Sequence, residues 1–151
     1  MQFYVMSKEH PMWEKTIRYA ECCSWKAGPY LAHMMRSGNL TDIERVIIAC
    51  EDDEIIGFCT LSEKDELPDK YDYMPFIGFV FVDENSRGKR ISEKLIDTAS
   101  EYALSIGYKY VYILSGETGL YEKYGFKKIG DVDTIYGSVD QLFQKKLLGE
   151  P

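Results

Sequence analysis

The sequence predicts a mixed α/β fold of the α+β kind, with helices on both faces of a mixed, mostly antiparallel central sheet of about six or seven strands. Two observations predict it: an antiparallel hairpin pattern within residues 45–61, and a strand, helix, strand pattern within residues 77–114. The 151 residues show no change of composition that would mark a linker, so we expect a single domain over residues 1–151.

The predicted strands are short runs of apolar and β-branched residues bounded by turn residues. They lie at residues 2–6, 45–50, 55–61, 77–82, 108–114, 126–135 and 139–147. The polar stretch 51–54 separates the second and third strands and predicts the turn of a hairpin. Residues 77–82 are almost continuously apolar, which is typical of a strand buried on both faces, so we expect this strand at the centre of the sheet.

The predicted helices follow the 3.6-residue period and end at glycines. A helical stretch runs to about Met35, and the Gly28-Pro29 step should break it into two helices. The clearest helix runs from Lys89 to about Ile106, with one apolar face and Gly107 as its stop. A short helix covers residues 119–124, and the polar, proline-containing residues 62–75 predict a loop of the length that often serves binding.

Composition and charge favour a cytoplasmic protein that binds neither nucleic acid nor membrane. The net charge is −7, which disfavours wide contact with nucleic acid or anionic lipid and weakly favours a cationic substrate. No segment approaches the ~18 consecutive apolar residues of a membrane span, and the N-terminus lacks a signal-peptide pattern. The histidines and the four cysteines show no metal-ligand spacing, so no metal is expected and the cysteines are interpreted as buried free thiols.

The turn that follows Val82 is the first candidate for a functional site. It lies at the carboxyl end of the predicted central strand, where open sheets bind ligands, and it leads into the clearest helix. Unpaired N–H groups and the helix dipole favour a phosphate or pyrophosphate at such a helix N-terminus, and Arg87, Lys89 and Arg90 add positive charge. The alternative is an ordinary solvated turn.

Two segments carry a resemblance to a known family. The first is Arg87-Gly88-Lys89-Arg90-Ile91-Ser92, called the basic turn below, and the second is Gly119-Leu120-Tyr121-Glu122-Lys123-Tyr124-Gly125-Phe126. In order and spacing they resemble the pyrophosphate loop and the tyrosine segment of the GCN5-related N-acetyltransferase (GNAT) superfamily, over roughly residues 44–130. The basic turn departs from the family pattern at Arg90, where glycine is usual, and at Ser92, where glycine or alanine is usual.

The resemblance implies an acetyltransferase that moves an acetyl group from acetyl-CoA to a primary amine by direct attack in a ternary complex. It implies that the pantetheine arm lies along Val80, Phe81 and Val82, and that the diphosphate sits on the N–H groups of the basic turn. It further implies that Tyr121 is the general acid that protonates the CoA thiolate; the alternative for Tyr121 is a tyrosine that only packs. A non-catalytic acyl-CoA-binding sensor or scaffold domain with the same fold is the alternative function.

The acceptor side of the reaction is less defined by the sequence. The fold implied by the resemblance would bring helical and loop aromatics to the thioester end, which makes Trp25, Tyr30, Tyr71 and Tyr73 candidates for substrate binding. The base is left open among Glu66, Asp72, Tyr73 and an ordered water. Peptide N-termini, lysine side chains, polyamines and aminoglycoside-like amines all remain candidate acceptors. A homodimer through the final strands is also left open.

Overall fold

The computed structural model describes residues 1–65, 67, 68 and 70–147, and in this part of the chain seven strands form one sheet. The strands are β1 (Gln2–Met6), β2 (Arg45–Glu51), β3 (Glu54–Ser62), β4 (Phe76–Val82), β5 (Tyr110–Ser115), β6 (Lys127–Asp133) and β7 (Val139–Lys146). The helices are α1 (Trp13–Cys22), α2 (Gly28–Ser37), α3 (Ile91–Ser105) and α4 (Leu120–Lys123), with a 3₁₀ turn at Glu84–Ser86.

The strand order is β1-β2-β3-β4-β5-β7-β6, which places β4 at the centre as the sequence predicts. Among the strands described, β4 and β5 form the one parallel pair, and the other neighbours are antiparallel. The predicted hairpin is β2–β3. Its two turn residues, Asp52 and Asp53, have left-handed φ angles of 51° and 66°, a conformation that aspartate tolerates better than most side chains.

Side chains cover the sheet on both faces. Because side chains alternate along a strand, the odd-numbered Ile47 and Ala49 of β2 pack on the α3 side, and the even-numbered Val46 and Ile48 pack under α1 and α2. A third apolar cluster on the face opposite α3, around Phe76, lies in the half of the sheet that holds β5 to β7. The predicted mixed sheet with helices on both faces is therefore confirmed.

The predicted position of the break between the first two helices is wrong. Gly28 and Pro29 begin α2, and the break lies at residues 23–27. Proline suits the first turn of a helix because its missing N–H needs no partner there. Glycine is required at position 28 because a Cβ would lie 2.2 Å from the carbonyl oxygen of Ala20. Gly28 therefore allows α2 to pack closely against α1, and it does not interrupt a helix.

All four cysteines are free thiols, but they are not all buried. Cys50 and Cys59 lie in the core as predicted, whereas Cys22 is exposed and Cys23 is half-buried at the end of α1. The prediction of a buried thiol is therefore wrong for Cys22. None of the helices in the described ranges combines the length and the apolar character that a bilayer crossing requires.

Candidate active site

The site is a cleft that opens where β4 and β5 separate. In the described part of the chain these strands share a single register pair, Phe76 with Tyr112, and then diverge. The cleft has a volume of about 630 Å³ and is lined by β4 from Ile77 to Val82, by the end of β5, by the basic turn and by α4. Its lining includes Val80 and Tyr121 from the α3 side and Phe79 and Trp25 from the opposite side, so the cleft passes through the sheet.

A bulge in β4 shapes the middle of the cleft. The β3–β4 register runs from Phe58 with Phe81 to Thr60 with Gly78, so that two residues of β4 lie opposite one of β3. Phe79, inside the bulge, has a left-handed φ of 49°. A bulge bends its strand and increases the local twist, which accounts for β4 turning away from β5 at this point.

The basic turn forms one end of the cleft. Gly88 has a left-handed φ of 85°, and α3 begins at Ile91, so the first N–H groups of a 15-residue helix face this end. The Nε of Arg87 donates to the carbonyl oxygen of Val82 at 3.1 Å, and its guanidinium lies 5.9 Å from the centre of the Phe81 ring. These contacts hold Arg87 at the mouth of the cleft.

The other side chains of the basic turn differ in their surroundings. The guanidinium of Arg90 donates twice to the Glu93 carboxylate, at 2.6 and 3.0 Å, and this pairing raises the pKa of Arg90 and lowers that of Glu93. The Ser92 hydroxyl lies 2.7 Å from the Tyr124 hydroxyl. Lys89 is exposed and does not line the cleft, whereas the remaining residues of the turn do.

Arg90 occupies the position where glycine is usual in the GNAT superfamily. Its backbone conformation gives a physical reason for a glycine there. Its φ is 60°, in the left-handed region that side chains with a Cβ disfavour. We expect Arg90→Gly to raise Tm by roughly 1–3 °C and to leave acetyl-CoA affinity within about twofold, because the backbone N–H remains. Arg90→Ala is the matched control: it also removes the guanidinium but keeps the Cβ, so an equal rise in Tm would contradict this explanation.

Tyr121 lines the cleft from α4 and is buried, with 7% of its surface exposed. Its ring packs edge-on to Phe126, at 6.2 Å between centroids, and lies 5.7 Å from that of Phe143. Burial first, and then the charge of Glu117, raise the pKa of Tyr121 to about 12, while a hydrogen bond with the Ser115 side chain opposes the shift. The phenol therefore stays protonated at neutral pH and can act as a proton donor.

Of the four aromatic residues predicted to bind substrate, the structure brings Trp25 to the cleft. Its ring stacks on that of Phe81 at 5.9 Å with an angle of 4° between the planes. Tyr30 is 73% exposed on α2 and lies outside the lining. Tyr71 and Tyr73 belong to the third apolar cluster, where the Tyr73 ring is 5.0 Å from that of Tyr112. Substrate contacts by these tyrosines stay predictions.

Of the groups that the sequence leaves open as the base, neither Asp72 nor Tyr73 lines the cleft. Glu66 lies outside the described residues, and Asp72 is exposed and absent from the lining. Glu117 is the carboxylate that lines the cleft among the described residues, and sequence reasoning missed it although it stands four residues before Tyr121. No group of three or more histidine, cysteine or acidic side chains among the described residues is placed to hold a metal ion.

Comparison with known proteins identifies the family. The sequence profile of the acetyltransferase (GNAT) family matches residues 8–126, which is most of the chain. The chain therefore belongs to the acetyltransferase (GNAT) family, and it is an acetyl-CoA-dependent N-acetyltransferase in class. The resemblance seen in the two sequence segments is confirmed. A search of curated proteins finds no sequence match.

Solved structures share the fold over the whole chain at low sequence identity. An aminoglycoside 6′-acetyltransferase type Ii matches with a TM-score of 0.76 and 17% identity, covering 100% of both chains. An aminoglycoside 6′-N-acetyltransferase complexed with coenzyme A matches with a TM-score of 0.72 and 15% identity, covering 100% of this chain and 99% of the other. A GNAT family acetyltransferase from Elizabethkingia anophelis with acetyl-CoA bound matches with a TM-score of 0.66 and 17% identity, covering 97% of each chain. At these identities the likeness concerns the fold.

Proposed function

We propose that this protein transfers the acetyl group of acetyl-CoA to a primary amine of a small molecule, by direct attack within a ternary complex. The observation that carries the proposal is the lining of the cleft between β4 and β5. That lining combines a helix N-terminus with Arg87, which suits an anion, and the buried, protonated Tyr121, which can donate a proton to a departing thiolate.

The residues around the cleft fit acetyl-CoA. The N–H groups at the start of α3, together with Arg87, would bind the diphosphate. Residues 80–82 leave the β5 register and all line the cleft, so the pantetheine arm would lie along them as an added strand. Arg90 would contribute its backbone N–H, since its side chain is engaged by Glu93.

The reaction needs two proton movements, and Tyr121 is suited to one of them. The nitrogen of the neutral amine forms a bond to the acetyl carbon, the carbon–sulfur bond breaks, and the electron pair leaves on sulfur. The Tyr121 hydroxyl donates its proton to that sulfur, and the proton lost by the amine passes to solvent or to a base. A phenol held neutral by burial is available as a donor throughout the range in which amines react.

Similar structures and net charge favour a cationic small molecule as the acceptor. Two of the structural neighbours are aminoglycoside acetyltransferases, and the chain carries a net charge of −7, which attracts polyamines and aminoglycosides. We therefore place an aminoglycoside-like amine first among the acceptors. A non-catalytic acyl-CoA sensor is the second candidate, but such a domain has no need of a proton donor at position 121.

Calorimetric titration with acetyl-CoA and with CoA, followed by a thiol-release assay, tests the proposal. The acceptors are kanamycin, spermidine and a tetrapeptide with a free N-terminus. We expect saturable micromolar binding of acetyl-CoA, and thiol release above hydrolysis with kanamycin. Binding without release by any amine would favour the sensor, and absence of binding would overturn both functions.

A further inference from the structure

We propose that the carboxylate of Glu117 binds a positively charged amino group of the acceptor, next to the amine that is acetylated. The acceptor is then a molecule with at least two amino groups, such as a polyamine or an amino sugar. This inference rests on the proposed acetyl transfer, and it names the residue that selects among amines in the same cleft.

Glu117 lies in the connection between β5 and α4, and it is the one carboxylate of the cleft lining in the described ranges. The two arginines of that lining are held by other groups, Arg87 by the carbonyl oxygen of Val82 and Arg90 by Glu93. Within the part of the chain that the structure describes, the Glu117 carboxylate makes no hydrogen bond and no ion pair. Its charge is therefore available to a ligand in the cleft.

Main-chain contacts hold the Glu117 backbone in place. Its N–H donates to Oγ of Ser115 at 3.0 Å, and its carbonyl oxygen accepts from Nε2 of Gln141, on the neighbouring strand β7, at 2.9 Å. The connection is thus anchored to the sheet without using the carboxylate. Because both contacts use main-chain atoms of Glu117, a change of its side chain leaves them intact.

Glu117 lies close to the proton donor of the proposed reaction. The Ser115 side chain that accepts its N–H also forms a hydrogen bond with Tyr121. Burial first, and then the charge of Glu117, raise the pKa of Tyr121 to about 12, so the carboxylate is within electrostatic reach of the phenol. The amine attacks the carbon bonded to the sulfur that Tyr121 protonates. An acceptor in the attacking position therefore lies beside Tyr121 and brings its other amino groups within reach of Glu117.

The chemistry of acetyl transfer explains why a second amino group is needed. The amine that attacks must be neutral, whereas a carboxylate binds an ammonium group through charge-assisted hydrogen bonds. One amino group cannot meet both requirements at once, but two amino groups on one molecule can. Glu117 should therefore strengthen the binding of diamines and polyamines and leave that of monoamines unchanged.

The test is calorimetric titration of the CoA-loaded protein with kanamycin, putrescine and butylamine. Putrescine and butylamine share a carbon chain and differ by one amino group. We expect Glu117→Gln to raise the Kd of kanamycin and of putrescine about five- to tenfold, and to leave the Kd of butylamine and of acetyl-CoA within about twofold. Added salt should reduce the difference between wild type and variant, because it screens the ion pair.

Glu122→Gln is the matched control. It removes the same charge from an exposed position of α4 that does not line the cleft, so it should change none of these Kd values. The inference is overturned if Glu117→Gln leaves the Kd of kanamycin and of putrescine unchanged, if both variants raise it equally, or if the wild type binds neither compound. A rise confined to the acetyl-CoA Kd would place Glu117 against the cofactor and would also overturn it.

Spectra of the protein with isotope-labelled tyrosine test where the diamine binds. The Tyr121 signal is identified by its loss in Tyr121→Phe, and we expect putrescine to shift it in the wild type but not in Glu117→Gln. Binding of putrescine without this shift would overturn the inference. Neither measurement needs turnover, and the titrations are repeated without CoA. A protein that binds diamines through Glu117 but acetylates none would therefore count against the proposed function alone.

Discussion

Replacing Tyr121 by phenylalanine is expected to lower kcat for acetyl transfer at least about 100-fold while the affinity for acetyl-CoA stays unchanged. The variant keeps the ring contacts with Phe126 and Phe143 that hold this side chain in the core. It removes only the phenolic hydroxyl, which is the group that donates the proton in the proposed reaction. The measurement is steady-state release of CoA thiol, combined with calorimetric titration of the same preparation.

Tyr108→Phe provides a matched control for the removal of a phenol. Its hydroxyl contacts the sulfur of Met74 at 3.3 Å, and the residue does not line the cleft. We expect this variant to turn over at the wild-type rate. Equal kcat values in wild type and Tyr121→Phe, with acetyl-CoA still bound tightly, would remove Tyr121 from the mechanism and leave it a packing residue.

The raised pKa of Tyr121 determines how kcat/KM and the free energy of unfolding are expected to depend on pH. The acid form persists up to about pH 12, so kcat/KM should rise with pH from 7 to about 10, as the amine loses its proton, without a descending limb from this residue. The unfolded chain titrates this phenol near its ordinary value of 10.0. Between pH 10 and 12 the unfolded state therefore holds fewer protons than the folded state, and the free energy of unfolding falls as pH rises.

Arg87→Ala is expected to raise the Kd for acetyl-CoA about tenfold or more. The guanidinium stands at the mouth of the cleft, held by the carbonyl of Val82 and the ring of Phe81, so its position is set before a phosphate arrives. Charge-assisted hydrogen bonds to phosphate are among the stronger polar contacts, which sets the size of the loss. Calorimetric titration with acetyl-CoA at two salt concentrations gives the measurement.

Lys89→Ala is the control for Arg87→Ala because it removes the same charge two residues away. Lys89 is exposed and outside the cleft lining, so its removal should change the Kd less than about threefold, by a screened long-range effect. Equal losses in the two variants would mean that only net charge matters. Such a result would contradict a phosphate contact by Arg87.

The parts of the site that the sequence predicts are those encoded in short, contiguous segments. The basic turn and the tyrosine segment each combine a local conformation with the residue types that the chemistry needs, so both are recognisable without the fold. Gly88 illustrates this, since its left-handed φ of 85° is the reason for glycine at the turn. The β2–β3 hairpin and the central place of β4 follow in the same way from a short polar turn between two apolar runs and from a nearly continuous apolar strand.

The parts that the sequence did not predict depend on contacts between distant segments. The bulge at Phe79 arises only in the β3–β4 register, and it changes which residues of β4 face the cleft. The role of Gly28 follows from the carbonyl of Ala20 in another helix. The loop tyrosine Tyr73 packs on Tyr112 because burial of an aromatic ring outweighs the polar character of its neighbours.

The single register pair between β4 and β5 has a consequence for how long the protein survives. Beyond Phe76 and Tyr112 the central sheet lacks the backbone pairing that joins its other neighbouring strands, in the part of the chain described. Acetyl-CoA bound along β4 as proposed would take the place of that pairing, so its concentration enters the folding equilibrium by mass action, adding about 2.7 kcal/mol at 100 times Kd. A fall in the supply of acetyl-CoA would then leave the protein more open to proteolysis, and its abundance would follow the metabolic state of its surroundings.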